Sequence, residues 1–358
     1  MNNFGKNIRI SIFGESHGSV IGLTIDGLPP KLTLDEDDIK KALANRQGTS
    51  SISTPRVEEN KYQIISGYFN NQTTGAPLTI IIPNMNVDDS AYTEGIIRPS
   101  HADYPYYVKF DGAADYRGGG TSSGRLTAVL VILGSICKSI LKEQNITVIS
   151  RIKGIKDVVD KTSSKDITEA SLLKLINVDF PVLDERAKKT MLDTIKKARN
   201  NNETLGGMVE TFILNLPPAL GEPFFDSFES ILSHLLFSIP GVKGLLFGDG
   251  VDLAVKSGSK MIDEMAYVNG KVTFASNHQG GINGGITNGN IVNFTTILRA
   301  PASFSKPVNS IDVKRKENIS VTTIGRHDVT FVHRALHVIN ALTYYAVLEM
   351  VMENEKHR

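Results

Sequence analysis

Apolar and polar positions alternate with a period of two over Ile8–Phe13, and a second strand-like run follows over Val20–Ile25. Each run ends in a turn signal, Gly14-Glu15-Ser16-His17-Gly18 after the first and Asp26-Gly27-Leu28-Pro29-Pro30 after the second. This pattern predicts two strands. Leu34-Asp35-Glu36-Asp37-Asp38 then opens an acidic-capped helix that is expected to run through about Ala44. The polar stretch from Arg46 to Ser51 has glycine and hydroxyls but little to pack, so it reads as a mobile loop. Ile64–Gly67 and Leu78–Ile82 predict strands around the turn Thr73-Thr74-Gly75, and Arg98–Tyr104 reads as a loop built on Arg98-Pro99.

The pattern changes at Asp115–Leu141. Gly118, Gly119 and Gly120 lead into Thr121-Ser122-Ser123-Gly124-Arg125, and an apolar run begins at Leu126. Apolar residues then fall on nearly every face (Val129, Leu130, Ile132, Leu133, Ile136, Ile140), as in a buried helix. Gly134, Ser135 and Lys138 break the run, which is expected to be too short to span a membrane. Two readings of the start of this helix stand side by side. Glycines and hydroxyls can simply turn and cap it, or with Arg117 and Arg125 they can hold a phosphate or carboxylate.

In the second half, Val148–Ile155 predicts a strand and Asp184–Arg199 an amphipathic helix whose apolar face carries Ala187, Met191, Ile195 and Ala198. Thr211–Pro218 repeats the strand-then-Leu-Pro-Pro form of Leu23–Pro30, and a helix follows around Ser227–Leu236. The echo hints at a duplicated half. Glycine-rich loops are expected at Gly241–Gly250 and Gly280–Gly285, and a final helix from about Phe331 to Met350. No low-complexity linker divides the chain, which reads as one compact unit over residues 1–358.

Composition narrows the classes. With 358 residues, 41% hydrophobic and 22% charged, the chain supports a sizeable core. A net charge of +1 and the absence of Trp argue against a nucleic-acid-binding module, and no attraction to an anionic membrane is implied. The start lacks a signal pattern, and the single cysteine, Cys137, allows neither a disulfide framework nor a CxxC zinc site, so the cytoplasm is the expected compartment.

The candidate chemistry is proton transfer beside anion binding. No GxxxxGK[ST] occurs, and no GxGxxG has the context of a dinucleotide fold. His333 and His337 are four apart on the last helix but lack a third ligand or an HExxH context, so no metal site is expected and they read as helix-surface histidines. What remains is Ser16-His17, His101, Ser122-Ser123 with Arg125, and Arg326-His327-Asp328. Arginines hold carboxylate and phosphate bidentately, and His and Asp are the usual proton carriers. Each also has a plain structural role open to it: His17 can bond a turn, and Asp328 can cap the last helix. The spacing by itself supports an enzyme acting on a multiply anionic ligand, and a phosphate-binding transferase would explain the arginines and glycine loops.

Together the motifs resemble the chorismate synthase family. Gly14–Pro30, NRQG at Asn45–Gly48, RPSHADY at Arg98–Tyr104, DYRGGGTSSGRLT at Asp115–Thr127, Pro240–Gly250, Asn277–Gly289 and GRHD at Gly325–Asp328 fall in that family's order over nearly the whole chain. The resemblance implies an α+β fold, a helical core between antiparallel sheets built from duplicated halves, and a homotetramer. It implies a lyase that eliminates phosphate and a ring proton from 5-enolpyruvylshikimate 3-phosphate in a 1,4-anti sense to give chorismate, the last step of the shikimate route to aromatic amino acids, with reduced FMN required. By the resemblance, His17 and His101 manage protons beside the flavin, and Asp328 with the hydroxyls of Ser16 and Ser123 passes the substrate proton. Thr121, Ser122, Ser123, Pro240, Gly241, Gly284, Arg299, Ala300, Pro301, Ala302, Ser303 and Arg326 match the stretches that line FMN. Arg46, Arg98, Arg125 and Arg326 match the arginines that clamp substrate. Some relatives reduce their own flavin with NADPH; no NADPH fingerprint is visible here, so an external flavin reductase is the expected partner.

The chain departs from the family pattern at four places. Arg299 stands where a lysine usually meets the FMN phosphate, and Asn45-Arg46 replaces an arginine pair. Val329-Thr330 replaces Pro-Cys after Asp328, and Asn340 replaces a glutamate of the final helix.

Overall fold

The computed structural model describes residues 2–47, 61–85, 88–90, 92–162, 166–323 and 328–356. These residues form two compact units interleaved along the chain. One comprises Met1–Leu133, Asp193–Leu205 and Ala300–Phe331; the other comprises Gly134–Leu192, Gly206–Arg299 and Val332–Arg358. No linker marks the boundaries, two of which fall inside helices.

The first unit is built on β1 (Asn3–Phe4), β2 (Arg9–Gly14), β3 (Val20–Asp26), β4 (Gln63–Ser66), the small hairpin β5–β6 (Tyr68–Phe69 and Gln72–Thr73) and β7 (Leu78–Pro83). Its five-stranded sheet has the order β1-β2-β3-β7-β4, antiparallel throughout. The register sets Ile21 opposite Ile82, Leu23 opposite Ile80 and Ile25 opposite Leu78, so six buried apolar side chains meet on one face. Alternate side chains along a strand point to one face, which brings these positions together. Helix α1 spans Glu36–Gln47. Asp35 accepts the Asp38 N–H at 2.9 Å, and the acidic first turn and Arg46 in the last turn both suit the helix dipole. The helix therefore runs three residues past Ala44, because its last turn has a burial site for Arg46. Helix α2 (Asp103–Lys109) begins inside what the sequence presents as a loop.

Helix α3 (Thr127–Leu141) is preceded by two single 3-10 turns, Gly120–Ser122 and Gly124–Leu126. The second unit continues with β8 (Thr147–Ile155), β9 (Val158–Val159), α4 (Glu169–Leu173), α5 (Glu185–Asn200), β10 (Gly207–Leu214), α6 (Phe228–Leu236) and β11 (Val242–Phe247). Next come α7 (Asp252–Val255) and the hairpins β12–β13 (Met265–Val268, Lys271–Phe274) and β14–β15 (Ile282–Asn283, Ile286–Thr287), then β16 (Val292–Leu298). Hairpin β17–β18 (Val308–Asp312, Glu317–Val321) returns to the first unit, and α8 (Val332–Lys356) ends the chain in the second. The second sheet has the order β11-β16-β10-β8-β9, again antiparallel. The fold is α+β, as expected. β11 occupies most of Gly241–Gly250, which the sequence presents as a glycine-rich loop. In the second unit Gly134 lies so close to Ala341 of α8 that a Cβ there would come within 2.3 Å of the alanine methyl, which explains a glycine inside α3.

Two helices, Gly124–Gln144 and Val332–Lys356, are long and apolar enough to cross a membrane by length and composition. This corrects the expectation that the central run is too short. Their apolar windows are 72% and 83% buried inside the protein, as core helices are. His333 is likewise buried rather than on the helix surface, and burial pushes His337 down to about 4. Among the described residues no group of three His, Cys, Asp or Glu could hold a metal ion.

The weak echo in the sequence corresponds to a repeated hydrogen-bond clasp. After β3, Thr73 Oγ1 donates to Pro29 O (2.6 Å) and accepts the Leu32 N–H (2.9 Å). After β10, Thr287 Oγ1 donates to Pro217 O (2.8 Å) and accepts the Leu220 N–H (2.9 Å). The backbone bonds repeat as well: Lys31 N–H to Thr73 O and Thr73 N–H to Leu32 O match Ala219 N–H to Thr287 O and Thr287 N–H to Leu220 O. Lys31 and Ala219 share a left-handed conformation (φ 68° and 76°), which non-glycine residues rarely adopt. Thr73 and Thr287 are both buried. Each should therefore be costly to replace by Val, which keeps the shape but removes the hydroxyl. We expect Thr73→Val and Thr287→Val each to lose about 1–3 kcal/mol in denaturant unfolding, with Ser restoring most of it. A loss in one repeat only would mean that the two clasps are not equivalent.

Candidate active site

The first unit gathers most of the residues singled out in the N-terminal half. The β2–β3 connection turns through Glu15–Gly18, where the Gly18 N–H bonds Glu15 O, and the Asn84 amide donates to Glu15 O (3.0 Å) and Gly18 O (2.8 Å). This turn buries Ser16 and His17. Against it lies the glycine loop. The Ser16 N–H bonds Gly120 O at 3.2 Å, and Gly118 (φ 66°) approaches so closely that a Cβ would fall 2.3 Å from Ser16 Oγ and 2.6 Å from His17 Nε2. Only glycine serves there, on both conformation and space. Ser16 Oγ is buried with no hydrogen-bond partner among the described residues.

Around His17 the polar groups are engaged. Nδ1 lies 2.7 Å from Asp89 Oδ1, and the Tyr92 ring meets the imidazole edge-on at 5.1 Å. Arg117 donates to Asp89 Oδ2 (2.8 Å) and, through Nε and Nη2, to both oxygens of Asp115. The hydrogen bonds from His17 and Arg117 hold the Asp89 carboxyl below the usual range, and the Arg117 bond does the same for Asp115. An Arg117 bracketed by two carboxylates is part of the scaffold rather than a waiting anion clamp.

The arginines expected to clamp substrate turn out to differ. Arg46 is not on a loop but in the last turn of α1, where it is buried. Its Nε donates to Thr127 Oγ1 (2.9 Å) and its Nη2 to Gly124 O (2.6 Å), so it braces the entry to α3. Arg98 has its fork taken by Asp103, with Nε and Nη2 at 2.7 and 2.8 Å, and its guanidinium sits 5.2 Å over Tyr92. Burial alone would lower the Arg98 pKa; the hydrogen bond and charge of Asp103, together with Tyr92, outweigh it and raise the pKa. Arg125 Nε donates to Asn84 Oδ1 at 3.2 Å. Arg326, with Gly325 and His327, and the stretch from Gly48 to Ser53 lie outside the described residues.

His101 Nε2 lies 2.7 Å from Ser303 Oγ, which joins the RPSHADY segment to the expected FMN stretch, and Thr204 Oγ1 holds Pro301 O at 2.7 Å. Ser123 Oγ accepts the Arg125 N–H, Ser122 Oγ donates to Gly119 O, and the Thr121 hydroxyl is 3.5 Å from Tyr106. Asp328 is half-buried in the same unit. Pro240, Gly241, Gly284 and Arg299 belong to the second unit. There β11 beside β16 carries Gly241 next to Arg299, whose N–H bonds Gly241 O at 2.9 Å.

A family model described as chorismate synthase matches residues 8–352. The chain belongs to the chorismate synthase family. Relatives named chorismate synthase include those of Korarchaeum cryptofilum (36% identical over 98% of this chain and 97% of the relative) and Dehalococcoides mccartyi (37% over 98% and 96%). That of Thermococcus kodakarensis is 36% identical over 97% of each chain. A solved structure titled "Crystal Structure of Chorismate Synthase" superposes with a TM-score of 0.77 over 98% of this chain and 93% of its own, at 24% identity, and so speaks to the fold. The family uses reduced flavin, and the residues present fit such a group. Ser16 offers an unused buried hydroxyl, and Gly124 on the hydroxyl-rich loop has nothing within 4 Å of where a Cβ would be. Of the departures from the family pattern, Asn340 is built in by accepting the Ser150 hydroxyl at 2.5 Å, and Val329-Thr330 is buried.

Asp89, Asn84, Tyr92 and Thr127 were not legible as site residues. The acidic pair Asp88-Asp89 follows a strand, but no spacing rule ties it to a histidine 72 positions earlier. The position of Arg46 yields a direct expectation. Arg46→Ala should lower ligand-free stability by about 2–4 kcal/mol, as loss of a buried, hydrogen-bonded cation does. An unchanged melting temperature without ligand would return Arg46 to the role of a clamp that waits for substrate.

Proposed function

We propose that the chain carries out the chorismate synthase reaction: 1,4-anti elimination of phosphate and a ring proton from 5-enolpyruvylshikimate 3-phosphate, giving chorismate. Reduced FMN, when bound, supplies the electron-rich partner that lets the phosphate leave. The single observation that carries the reading is the seating of Ser16 and His17 on Gly118, in a chain of this family. A buried serine hydroxyl without a partner and a histidine oriented by a carboxylate form a donor and a proton carrier at one spot.

Within this reading His17 acts at the substrate, and His101, fixed by Ser303, holds the protonation state beside the flavin. Asp328 accepts the ring proton, assisted by Ser16 and Ser123. Thr121, Ser122, Ser123, Pro240, Gly241, Gly284, Arg326 and the stretch from Arg299 to Ser303 hold FMN. Arg125 and Arg326 meet the substrate anions, while Arg46 and Arg98 contribute by bracing the segments that surround them. We further propose a cytoplasmic homotetramer served by an external flavin reductase.

Anaerobic mixing with chemically reduced FMN and 5-enolpyruvylshikimate 3-phosphate tests the reaction. Phosphate release that requires the reduced flavin supports it, and release without flavin, or none at all, sinks it. In the same assay Asp328→Asn should keep flavin affinity, read by fluorescence quenching, and lose about 10²–10⁴-fold in kcat, the usual worth of a positioned base. Near-normal turnover would reduce Asp328 to a structural residue.

A further inference from the structure

The geometry around His17 extends the site by one residue that the family motifs do not contain. We infer that Asp89 is a positioning residue for His17: it accepts the Nδ1 proton, fixes the ring, and leaves Nε2 as the nitrogen that exchanges a proton with substrate. The inference rests on the reaction proposed above.

Four observations support it. Nδ1 and Asp89 Oδ1 are 2.7 Å apart, a short, charge-assisted contact. Asp89 is itself held, because its other oxygen takes Arg117 Nη1 at 2.8 Å, and Arg117 is anchored by Asp115. The imidazole is buried to 6% exposure and steadied edge-on by Tyr92, so it has little freedom to turn. Finally, the Nε2 edge has no hydrogen-bond partner among the described residues, and it faces Gly118 and the side of Ser16 whose hydroxyl is also unused. A carboxylate behind one ring nitrogen sets the tautomer and so determines which nitrogen does the chemistry. The charged groups facing the ring are Asp88 and Asp89 from the segment after β7, and Asp115 with Arg117 from the segment before the glycine loop. Asp89 alone touches Nδ1.

Protein labelled with [15N]histidine, with the His17 resonances assigned by their absence in His17→Ala, reads the tautomer without any cofactor. The wild-type ring, when neutral, should be protonated at Nδ1. Asp89→Ala should move the proton toward Nε2, and Asp89→Glu should largely restore the wild-type state. In turnover, Asp89→Ala should lower kcat by about 10–100-fold with little change in KM, the scale expected of a misplaced catalytic group. The same substitution in a His17→Ala background should cost almost nothing more, since the two act as a unit. Arg117→Gln, which frees Asp89 from its anchor but leaves the carboxylate, should fall between wild type and Asp89→Ala. Melting curves of each variant separate lost fold from lost positioning. An unchanged tautomer in Asp89→Ala overturns the inference, and so does an equal additional loss in the His17→Ala background. If the wild-type protein releases no phosphate with reduced FMN, the reaction itself is wrong, and the tautomer measurement still decides whether Asp89 orients His17.

Discussion

One close approach organises the first unit: the backbone of Gly118 against Ser16 and His17. A side chain at that point would overlap a hydroxyl and an imidazole, and the left-handed backbone adds a second reason for glycine. Because the loop can come this near, the Ser16 N–H reaches Gly120 O, and the two segments, a hundred residues apart, act as one surface. The polar groups around it then follow. Asn84 ties off the turn and takes Arg125, Asp89 takes His17 and Arg117, and Arg46 reaches from α1 to hold the start of α3. Nearly every charge is met by a partner, which burial demands. The hydroxyl of Ser16 stands out against that background.

The repeated clasp at Thr73 and Thr287 shows a second constraint. A strand that ends in Leu-Pro-Pro leaves carbonyls and N–H groups that neither sheet nor helix can satisfy. A single buried threonine from a neighbouring hairpin meets both needs, and the chain accepts a left-handed non-glycine residue to reach it. The same solution occurs in both units, down to the hairpin glycines that follow, Gly75 and Gly289, whose φ values are 88° and 90°. The second unit also buries charge, with Arg151 on β8 held by Glu210 of β10 and by Asp160.

Much was determined by sequence alone. Period-two alternation located β2, apolar runs beside turn signals located β3, β7 and β8, an acidic cap located α1, and an amphipathic face located α5. The order of motifs identified the family, since so many fixed residue types cannot recur in sequence by chance. Local signals failed where a residue's role depends on a distant partner. Arg46 looked like part of a loop because its neighbours are polar, yet a buried site made by Gly124 and Thr127 draws it into the helix. Asp89 had no signal at all. Which arginines are braces, which carboxylate faces His17 and which hydroxyl is left unused were decided by tertiary structure, because hydrogen-bond satisfaction is settled only when distant segments meet and exclude water.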